Sequence, residues 1–552
     1  MSAVQLERLT RITGAGGFPS LCIDEVLDIS GASRRDVDVI TLTRNSYPRR
    51  FLSKQFFLRK IVSEIMAGTP RERMFDVCAA MKKNPSATEI DLFDCGSFCR
   101  AYGFRSDVTI HFENHHKCHA LPSLFFTDWE DALLYTADGS GDNVCYSART
   151  FIDGTLTTLF GDDRWLYQPQ KIDSLGLAYG YITEALGWKM LRHEGKLTGL
   201  AAFGQPTLFD EIAQHFHVQS DGVIDSDFNS FSDMRHILSL LARNESRENA
   251  AASIQLILEE MIVKAIRILL EQTKVRHLGL SGGVFANVRL NRRLAEELPV
   301  EEVFIVPPMG DEGLVVGAGL SFLLKRDGLS HWLKQRHRLT SVCLGRDYNT
   351  NIETAVSCSP RIRREIGNPI ELTVDRLIAG KVGAIYNGRT EFGPRALGAR
   401  TILGHPGRAE INDILNKRLN RTEFMPFAPV VAADRAAAVF DVGPLNRYAA
   451  RFMTITCGVR PEWHKLIPAV VHVDGSARPQ IIERDENPLY YDILKHFEKK
   501  TGLPVLINTS FNAHEEPIIN NPEECARALL DNRVDFVVTT SGVWECNKVD
   551  CP

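Results

Sequence analysis

Short apolar runs alternate along this chain with longer stretches in which apolar residues recur every three or four positions. Residues 253–273 are the clearest long stretch, because Ile254, Ile257 and Met261 fall on one helical face and most charged residues lie elsewhere. Residues 132–137, 275–280 and 303–306 are short apolar runs that predict buried strands. Helices that alternate with buried strands are typical of the α/β class, which the pattern therefore predicts.

Further elements extend the same pattern through the chain. Apolar spacing predicts helices over residues 20–29 and 175–186 and a strand over 37–42. Residues 144–151 and 155–160, joined by Asp153-Gly154, predict a β-hairpin. Other strands are predicted to end at Tyr386 and at Leu506. The pattern weakens over residues 325–369, so we predict two domains, 1–340 and 341–552.

Composition and charge exclude several classes of function. The chain has 552 residues, and its formal net charge of −5 does not favour binding to nucleic acid or to an anionic membrane. No apolar run approaches the roughly 20 residues of a membrane-spanning helix, and the first ten residues are too polar for a signal peptide. The 12 cysteines include no C-x-x-C pair, which argues against a disulfide framework and a zinc ribbon. We therefore expect a cytoplasmic protein.

Two histidines and two aspartates form a candidate metal site. His115 and His119 are four residues apart, so on a helix they share one face. Asp138 follows the apolar run 132–137, where we predict that a strand ends in a glycine-rich turn, and Asp311 stands between a strand and a helix. Two imidazoles with carboxylates suit iron(II), manganese or zinc. The alternative is a helix with solvated histidines followed by an ordinary hairpin turn.

Two glycine-containing segments are weaker candidates for anion binding. The turn at Gly282 and Gly283 lies between a predicted strand and a helix containing Asn287, an arrangement that can present a helix N-terminus to a phosphate. Many α/β units close in the same way without a ligand. Lys196 stands between two glycines before an apolar run, and a surface lysine in a loop explains it equally well.

The second half of the chain carries a stronger anion signal. Arginines interleaved with glycines make a surface that suits polyphosphate, and amide and hydroxyl groups are predicted to follow the strand that ends at Leu506. The alternative is a solvated basic loop, but apolar neighbours such as Phe392 and Leu397 count against it. The candidates are Arg389, Glu391, Arg395, Arg421, Arg478, Asn508, Ser510 and Glu516.

Taken together, these motifs resemble the NodU/CmcH type of ATP-dependent O-carbamoyltransferase. The matching stretches keep the order of that family and cover nearly the whole chain, and the combination of GPRALG with NTSFN is highly specific. They are HHKCHA, DGSGD, EGKLTGLAAFG, LSGGVFAN, PPMGDEG, GRTEFGPRALGAR, RTEFMPFAP, HVDGSAR and INTSFNAHEEPI. The resemblance implies an α/β protein with an actin-like (ASKHA) N-terminal lobe and a YrdC-like C-terminal lobe.

The resemblance also implies a two-step activity. The second lobe would join carbamoyl phosphate and ATP, supplied with magnesium, into carbamoyl-adenylate, and the first lobe would move the carbamoyl group to a hydroxyl of a sugar or secondary metabolite. By position, the ligands of iron(II) or another divalent metal would be His115, His119, Asp138 and Asp311. Phosphate groups would meet Arg395, Arg478, Asn508 and Ser510. The residues expected to be catalytic are His115, His119, Asp138, Arg395 and Arg478.

Three departures from the family pattern qualify these expectations. The LERLTR segment stands almost at the start, so the first hairpin of the actin-like lobe is expected to be missing; a homodimer partner would cover the exposed edge, or the gene would begin upstream. Asn420 takes the place of a usual lysine, which Lys417 or Arg421 would replace, and Met425 takes the place of an arginine. Two alternatives stay open: an actin-like sugar kinase, or a binding relative with a decayed site.

Overall fold

The computed structural model describes residues 1–53, 74–348, 355, 359–421 and 425–546, and it is a mixed α/β structure. The strands are β1 Val39–Thr43, β2 Ser46–Pro48, β3 Met74–Asp76, β4 Thr109–Glu113, β5 Ala132–Gly141, β6 Val144–Ile152, β7 Thr155–Phe160, β8 Phe216–Val218, β9 Ile224–Ser226, β10 His277–Ser281, β11 Glu302–Ile305, β12 Cys343–Asp347, β13 Ile362–Glu365, β14 Gly383–Tyr386, β15 Arg389–Glu391, β16 Arg400–Gly404, β17 Ala428–Ala432, β18 Cys457–Gly458, β19 Ser476–Ala477, β20 Gln480–Ile482, β21 Val505–Ser510, β22 Phe536–Val538 and β23 Val543–Cys546.

Helices connect and cover these strands. They are α1 Leu6–Thr10, α2 Ser20–Ile29, α3 Val77–Lys83, α4 Glu89–Leu92, α5 Cys95–Ala101, α6 His115–Phe125, α7 Leu175–Ala185, α8 Glu194–Leu200, α9 Phe209–Ala213, α10 Phe231–Arg243, α11 Arg247–Thr273, α12 Val288–Glu297, α13 Leu314–Asp327, α14 Leu329–Leu333, α15 Pro369–Ile378, α16 Ile411–Arg418, α17 Ala436–Val439, α18 Arg447–Ala450, α19 Pro488–Thr501 and α20 Pro522–Leu530. None of the described helices is long and apolar enough to cross a membrane.

The first sheet has the order β11-β10-β5-β6-β7. Strands β11, β10 and β5 run parallel, whereas β6 and β7 are antiparallel to their neighbours. Because the carboxyl ends of parallel strands meet at one edge of a sheet, this topology brings the residues that follow β5, β10 and β11 together. The long helix α11 packs its buried face against α7 and α12 beside this sheet.

The predicted position of the first hairpin turn is wrong. Strand β5 continues through the glycine-rich segment to Gly141, and the turn is Asp142-Asn143, whose φ angles of 47° and 70° suit a tight two-residue hairpin. Gly141 is needed for a close contact and not for a turn, because a Cβ on this residue would lie 2.2 Å from Cδ2 of His115. The segment therefore makes room for an imidazole ring, and Asp138 lies within the strand instead of after it.

The second sheet lies in the later part of the chain and has the order β13-β23-β22-β14-β16-β21-β17-β20. Helices α15 and α19 cover one face with buried apolar side chains such as Val374, Leu377 and Ile493. Strand β21 extends to Ser510, so Asn508 and Ser510 lie within it, and the prediction that they follow the strand is wrong.

The two sheets share one hydrophobic core, because a single cluster of buried side chains includes Leu133 and Leu280 of the first sheet and Val431 and Val505 of the second. Helix α18 also packs on the first sheet, where the Tyr448 ring stacks on Phe304 with ring centroids 4.3 Å apart. This core contains residues from both sides of residue 340, so the domain boundary proposed there stays a prediction.

Candidate active site

The histidine–aspartate cluster, defined as His115, His119, Asp138 and Asp311, lies at the edge where β5, β10 and β11 end. Helix α6 begins directly after Asn114, whose side-chain oxygen accepts a hydrogen bond from the backbone N–H of Lys117 at 2.8 Å. This cap fixes the first turn of α6, which places the two histidines one turn apart on the face towards β5.

The four side chains of the cluster converge on one point. The Nε2 atoms of His115 and His119 are each 3.1 Å from Oδ2 of Asp138. Oδ1 of Asp311 is 3.6 Å from Nε2 of His115 and 3.4 Å from Nε2 of His119. The two imidazoles and Asp138 are largely buried, whereas 66% of the Asp311 side chain is exposed. The cluster is therefore closed on three sides and open on the side of Asp311.

Two buried groups of the cluster have pKa values far from their ordinary ones. Burial disfavours a charged imidazole, but the contacts of His119 with Asp138 and Asp311 outweigh it and raise the pKa of His119 to about 9. Burial also disfavours the carboxylate of Asp138, yet the two imidazoles hold its pKa well below the ordinary value. A divalent cation would take the place of this shared proton.

The donor set fits a divalent transition metal. One nitrogen or oxygen atom from each of the four side chains lies within 4.8 Å of the others. Two imidazoles and two carboxylates suit iron(II), manganese or zinc better than magnesium, which prefers oxygen ligands. Nδ1 of His119 lies 3.4 Å from Oγ of Ser281 at the end of β10, a contact that orients the ring.

The neighbouring His116 does not join the cluster. Its Nδ1 lies 2.7 Å from Oγ1 of Thr136 and its Nε2 lies 3.1 Å from the carbonyl oxygen of Val144. Burial, with the neighbouring His115 and His119, holds the pKa of His116 well below the ordinary value, so this imidazole is neutral. His116 therefore ties helix α6 to the β5–β6 hairpin.

A cavity of about 580 Å³ gathers most of the predicted anion-binding residues. Its lining includes Lys196, Arg395, Arg421, Arg478, Asn508, Ser510 and Glu516. Lys196 is half-buried in helix α8, so the alternative of a lysine in a loop is wrong. Residues from the parts of the chain that contain the first and the second sheet thus line one concave site, which we call the arginine cavity.

Two arginines give this cavity its charge. Within the described part of the chain, neither Arg395 nor Arg478 has a hydrogen bond or an ion pair, and Nε of Arg478 is buried without a partner. Burial lowers the pKa of both, and the proximity of Arg395 lowers the pKa of Arg478 further. Two adjacent guanidinium groups without an ion pair are a site for an anion with several negative oxygens.

The other polar residues of the cavity are held in a hydrogen-bonded frame. The guanidinium of Arg421 donates to Oγ1 of Thr509 at 2.7 Å and to Oγ of Ser510 at 3.0 Å. The Asn508 amide donates to Oε1 of Gln480 at 2.6 Å and to the carbonyl of Ala396 at 3.0 Å. These contacts fix the cavity wall beside Arg395.

The structure also tests the two departures around residue 420. Arg421 lines the arginine cavity, whereas Lys417 is exposed on α16 and is not part of the lining, so Arg421 is the better candidate for the role of the family's lysine. Met425 lines the cavity and packs closely on helix α8 at Gly199. Residues 422–424 of the RTEFMPFAP stretch lie outside the described residues.

Gly282, Gly283 and Asn287, which the sequence suggested as anion-binding residues, lie outside the arginine cavity. A Cβ on Gly282 would meet the carbonyl oxygen of Ala137 at 2.1 Å, and Gly283 lies beside Asp138, so both contact strand β5. The Asn287 side chain caps helix α12 and donates to Oε1 of Gln255 at 2.8 Å. None of the three lines the arginine cavity, although Ala286 and Val288, which flank Asn287, do.

Arg389 and Glu391 also lie outside the lining of the arginine cavity. The Arg389 guanidinium donates to the carbonyl oxygens of Leu344 at 2.6 Å and Gly345 at 2.8 Å. Oε1 of Glu391 accepts the backbone N–H groups of Leu397, Ala399 and Arg400 at 2.7 to 3.0 Å. Glu391 therefore holds the loop that carries Arg395 instead of contacting a ligand there.

Two residues that the sequence did not single out lie close to Arg395 or to its loop. Nη2 of the buried Arg8 donates to the carbonyl oxygen of Gly393 at 2.6 Å, two residues before Arg395. The Glu312 carboxyl lies close enough to Arg395 to favour its charged form, and burial and the adjacent Asp311 raise the pKa of Glu312. Arg8 belongs to the LERLTR motif and Glu312 to the PPMGDEG motif, so these two motifs were the signal by which the sequence could have identified them.

Comparison with known proteins agrees with this arrangement. A family model described as the carbamoyltransferase N-terminus matches residues 1–320, and one described as the carbamoyltransferase C-terminus matches residues 374–545. The chain belongs to the carbamoyltransferase family. Family membership makes it an enzyme that transfers carbamoyl groups, and the alternatives of a sugar kinase and a non-catalytic relative lose their support.

Individual relatives match over most of the chain. Nodulation protein NolNO of Sinorhizobium fredii is 30% identical over 561 residues, which cover 98% of this chain and 76% of the relative. The uncharacterized protein MJ1058 of Methanocaldococcus jannaschii is 32% identical over 452 residues, 78% of this chain and 73% of the relative. The crystal structure of HypF from T. kodakarensis aligns with 42% of this chain and 38% of the HypF chain at 13% identity. Its TM-score of 0.27 is too low for a shared fold to be inferred.

Proposed function

We propose that this carbamoyltransferase makes carbamoyl-adenylate from carbamoyl phosphate and ATP and then transfers the carbamoyl group to a hydroxyl of a sugar or secondary metabolite. The first step would use the arginine cavity and the second the histidine–aspartate cluster. The adjacent Arg395 and Arg478, which form no ion pair with any described residue, are the observation that carries the proposal, because a site for phosphate-rich substrates needs such a charge.

In the first step, water would convert carbamoyl phosphate into carbamate and phosphate. A carbamate oxygen would then attack the α-phosphorus of ATP, and pyrophosphate would leave with the electron pair of the broken P–O bond. Arg395 and Arg478 would neutralise the negative charge of the phosphate oxygens. Arg421, held by Thr509 and Ser510, would add a third cation to the same cavity.

In the second step, the acceptor hydroxyl would attack the carbamoyl carbon, and AMP would leave. His115, His119, Asp138 and Asp311 would hold iron(II) or another divalent metal. Such an ion supplies Lewis acidity, which polarises a carbonyl and lowers the pKa of a hydroxyl. The chain's own contribution is to orient the ring of His119 through Ser281 and to leave an open side at Asp311.

The proposal includes the finer assignment of the fold. The segment 1–340, with the first sheet and the metal cluster, would be an actin-like lobe, and the segment 341–552, with the second sheet, would be a YrdC-like lobe. The strand order and the parallel core β11-β10-β5 are compatible with the first assignment.

Pyrophosphate release tests the proposed function directly. The purified protein should release pyrophosphate from ATP only when carbamoyl phosphate is present, and a panel of hydroxyl acceptors should then yield AMP and a carbamoylated product. Pyrophosphate release that does not depend on carbamoyl phosphate, or no release at all from folded, metal-loaded protein, would contradict the proposal.

A further inference from the structure

A second cavity of about 450 Å³ lies on the far side of helix α6 from the histidine–aspartate cluster. Lys117, which lines it, stands two residues from each histidine of the cluster, so its side chain leaves the helix about 200° away. The other walls are strands β6 and β7, helix α13 and the residues that follow β7. The volume is within the range of roughly 300 to 1,000 Å³ that is usual for small-molecule sites.

Arg149 forms the charged floor of this cavity. Only 3% of the residue is exposed, and Nη1 of its guanidinium donates to Oγ of Ser147 at 2.6 Å. No described carboxylate forms an ion pair with it, and burial lowers the pKa of Arg149 to about 10, so it stays protonated at neutral pH. A buried guanidinium without a counterion is costly unless an anion completes it.

Lys117 adds a second cation at the same wall. Its ammonium group has no hydrogen bond or ion pair with any described residue. The nearby carboxylate of Glu113 pairs instead with Lys325 at 2.8 Å. Lys117 is half-buried and lines the cavity, so its charge is available to a ligand there.

The carboxylates around the cavity already have cationic partners. Asp163 accepts hydrogen bonds from Arg44 at 2.6 and 2.9 Å, and Asp162 accepts from Nε of Arg164 at 2.8 Å. Both carboxylates favour the charged form of Arg149 from a distance, but neither forms an ion pair with Lys117 or Arg149 among the described residues. Leu156 and Leu324 give the rest of the wall an apolar character suited to the carbon skeleton of a ligand.

We propose that this cavity binds a phosphorylated small molecule and that Arg149 and Lys117 hold its phosphate group. Two cations suit a doubly charged oxyanion, and the planar guanidinium matches two phosphate oxygens at once. The site is separate from both sites of the proposed function, because helix α6 and His116 stand between it and the cluster, and none of its lining residues lines the arginine cavity.

Calorimetric titration of the full-length protein tests this proposal. Because the arginine cavity is also proposed to bind phosphate, the titrations use the Arg478→Met protein, in which that cavity has lost one of its two adjacent cations and should bind phosphate more weakly than the second site. Inorganic phosphate should bind this protein at one site, and glucose 6-phosphate should compete for it, whereas glucose should not. Adding Lys117→Met should weaken phosphate binding roughly tenfold to a hundredfold.

Arg164→Met is the matched control, because Arg164 also lines the cavity but is 72% exposed and paired with Asp162. It should change binding less than Lys117→Met, and Lys117→Arg should keep phosphate binding. The proposal is overturned if the Arg478→Met protein binds no phosphate, if Lys117→Met leaves binding unchanged while melting normally, or if Arg164→Met weakens it as much. Binding of phosphate without competition by glucose 6-phosphate would overturn the assignment of an esterified ligand.

Discussion

Replacing Arg478 with methionine should stabilise the ligand-free protein while abolishing the first half-reaction. Burial and the neighbouring Arg395 hold the pKa of Arg478 well below its ordinary value, and each unit of such a shift corresponds to about 1.4 kcal/mol. The folded state therefore carries a cost at neutral pH, where this guanidinium is charged in the unfolded chain. Methionine keeps much of the length of the side chain and removes the charge.

The size of the effect follows from comparable buried charges. Replacing buried ionic groups with apolar ones of similar volume stabilises proteins by up to roughly 1 to 4 kcal/mol. Because Arg478 is partly exposed to the cavity, we expect a gain at the low end of this range, about 1 kcal/mol in the free energy of unfolding. The same change should lower the rate of carbamoyl-phosphate-dependent pyrophosphate release on the order of a hundredfold or more.

Denaturant titration without ligands, run beside the pyrophosphate assay, measures both quantities. Arg484→Met is the matched control, because Arg484 is 66% exposed and pairs with Asp492, so it should change stability by less than about 0.5 kcal/mol and leave the rate unchanged. Inorganic phosphate should raise the melting temperature of the wild type more than that of Arg478→Met. An Arg478→Met protein that is less stable than wild type and still releases pyrophosphate at the normal rate would refute the reasoning.

Two further predictions concern packing and pH. Gly317→Ala should lower both stability and bound metal, because its Cβ would lie 1.7 Å from the Cys118 carbonyl oxygen and would push α13 away from α6. Gly319→Ala on the same helix has open space and should change neither, and melting curves and metal analysis of the two variants decide this. Burial raises the pKa of Asp173 to about 6 from 3.8, so its contribution to stability is complete below about pH 4 and is lost as the pH rises to about 6. Asp173→Asn should therefore be more stable than wild type above pH 6, by up to roughly 3 kcal/mol, and the difference should shrink towards pH 4; a constant difference would contradict this.

Much of the fold follows from local patterns in the sequence. Helix α2 has the predicted bounds, and the β6–β7 hairpin lies where alternating residues and Asp153-Gly154 placed it. Such elements depend on residues a few positions apart, which a sequence shows directly. The mixed α/β class is confirmed for the same reason.

Local patterns were least informative where a distant segment decides what a motif contacts. A glycine-rich segment predicts a turn, but Gly141 serves the close approach of His115 from another element. Gly282 and Gly283 precede a helix as a phosphate loop would, but the backbone of Ala137 lies against Gly282 and the Asp138 carboxylate lies beside Gly283. Arg389 has the composition of an anion site, but the carbonyl oxygens it binds belong to residues 44 and 45 positions away along the chain.

The central claim, that two sites carry out two half-reactions, is tested most directly by comparing His119→Ala with Arg395→Ala. His119 lies in the metal cluster and Arg395 in the arginine cavity. With melting curves confirming folded protein, His119→Ala should keep carbamoyl-phosphate-dependent exchange of pyrophosphate into ATP while losing transfer to the acceptor, and Arg395→Ala should lose both. If His119→Ala loses exchange as completely as Arg395→Ala while melting normally, the two-site account is wrong.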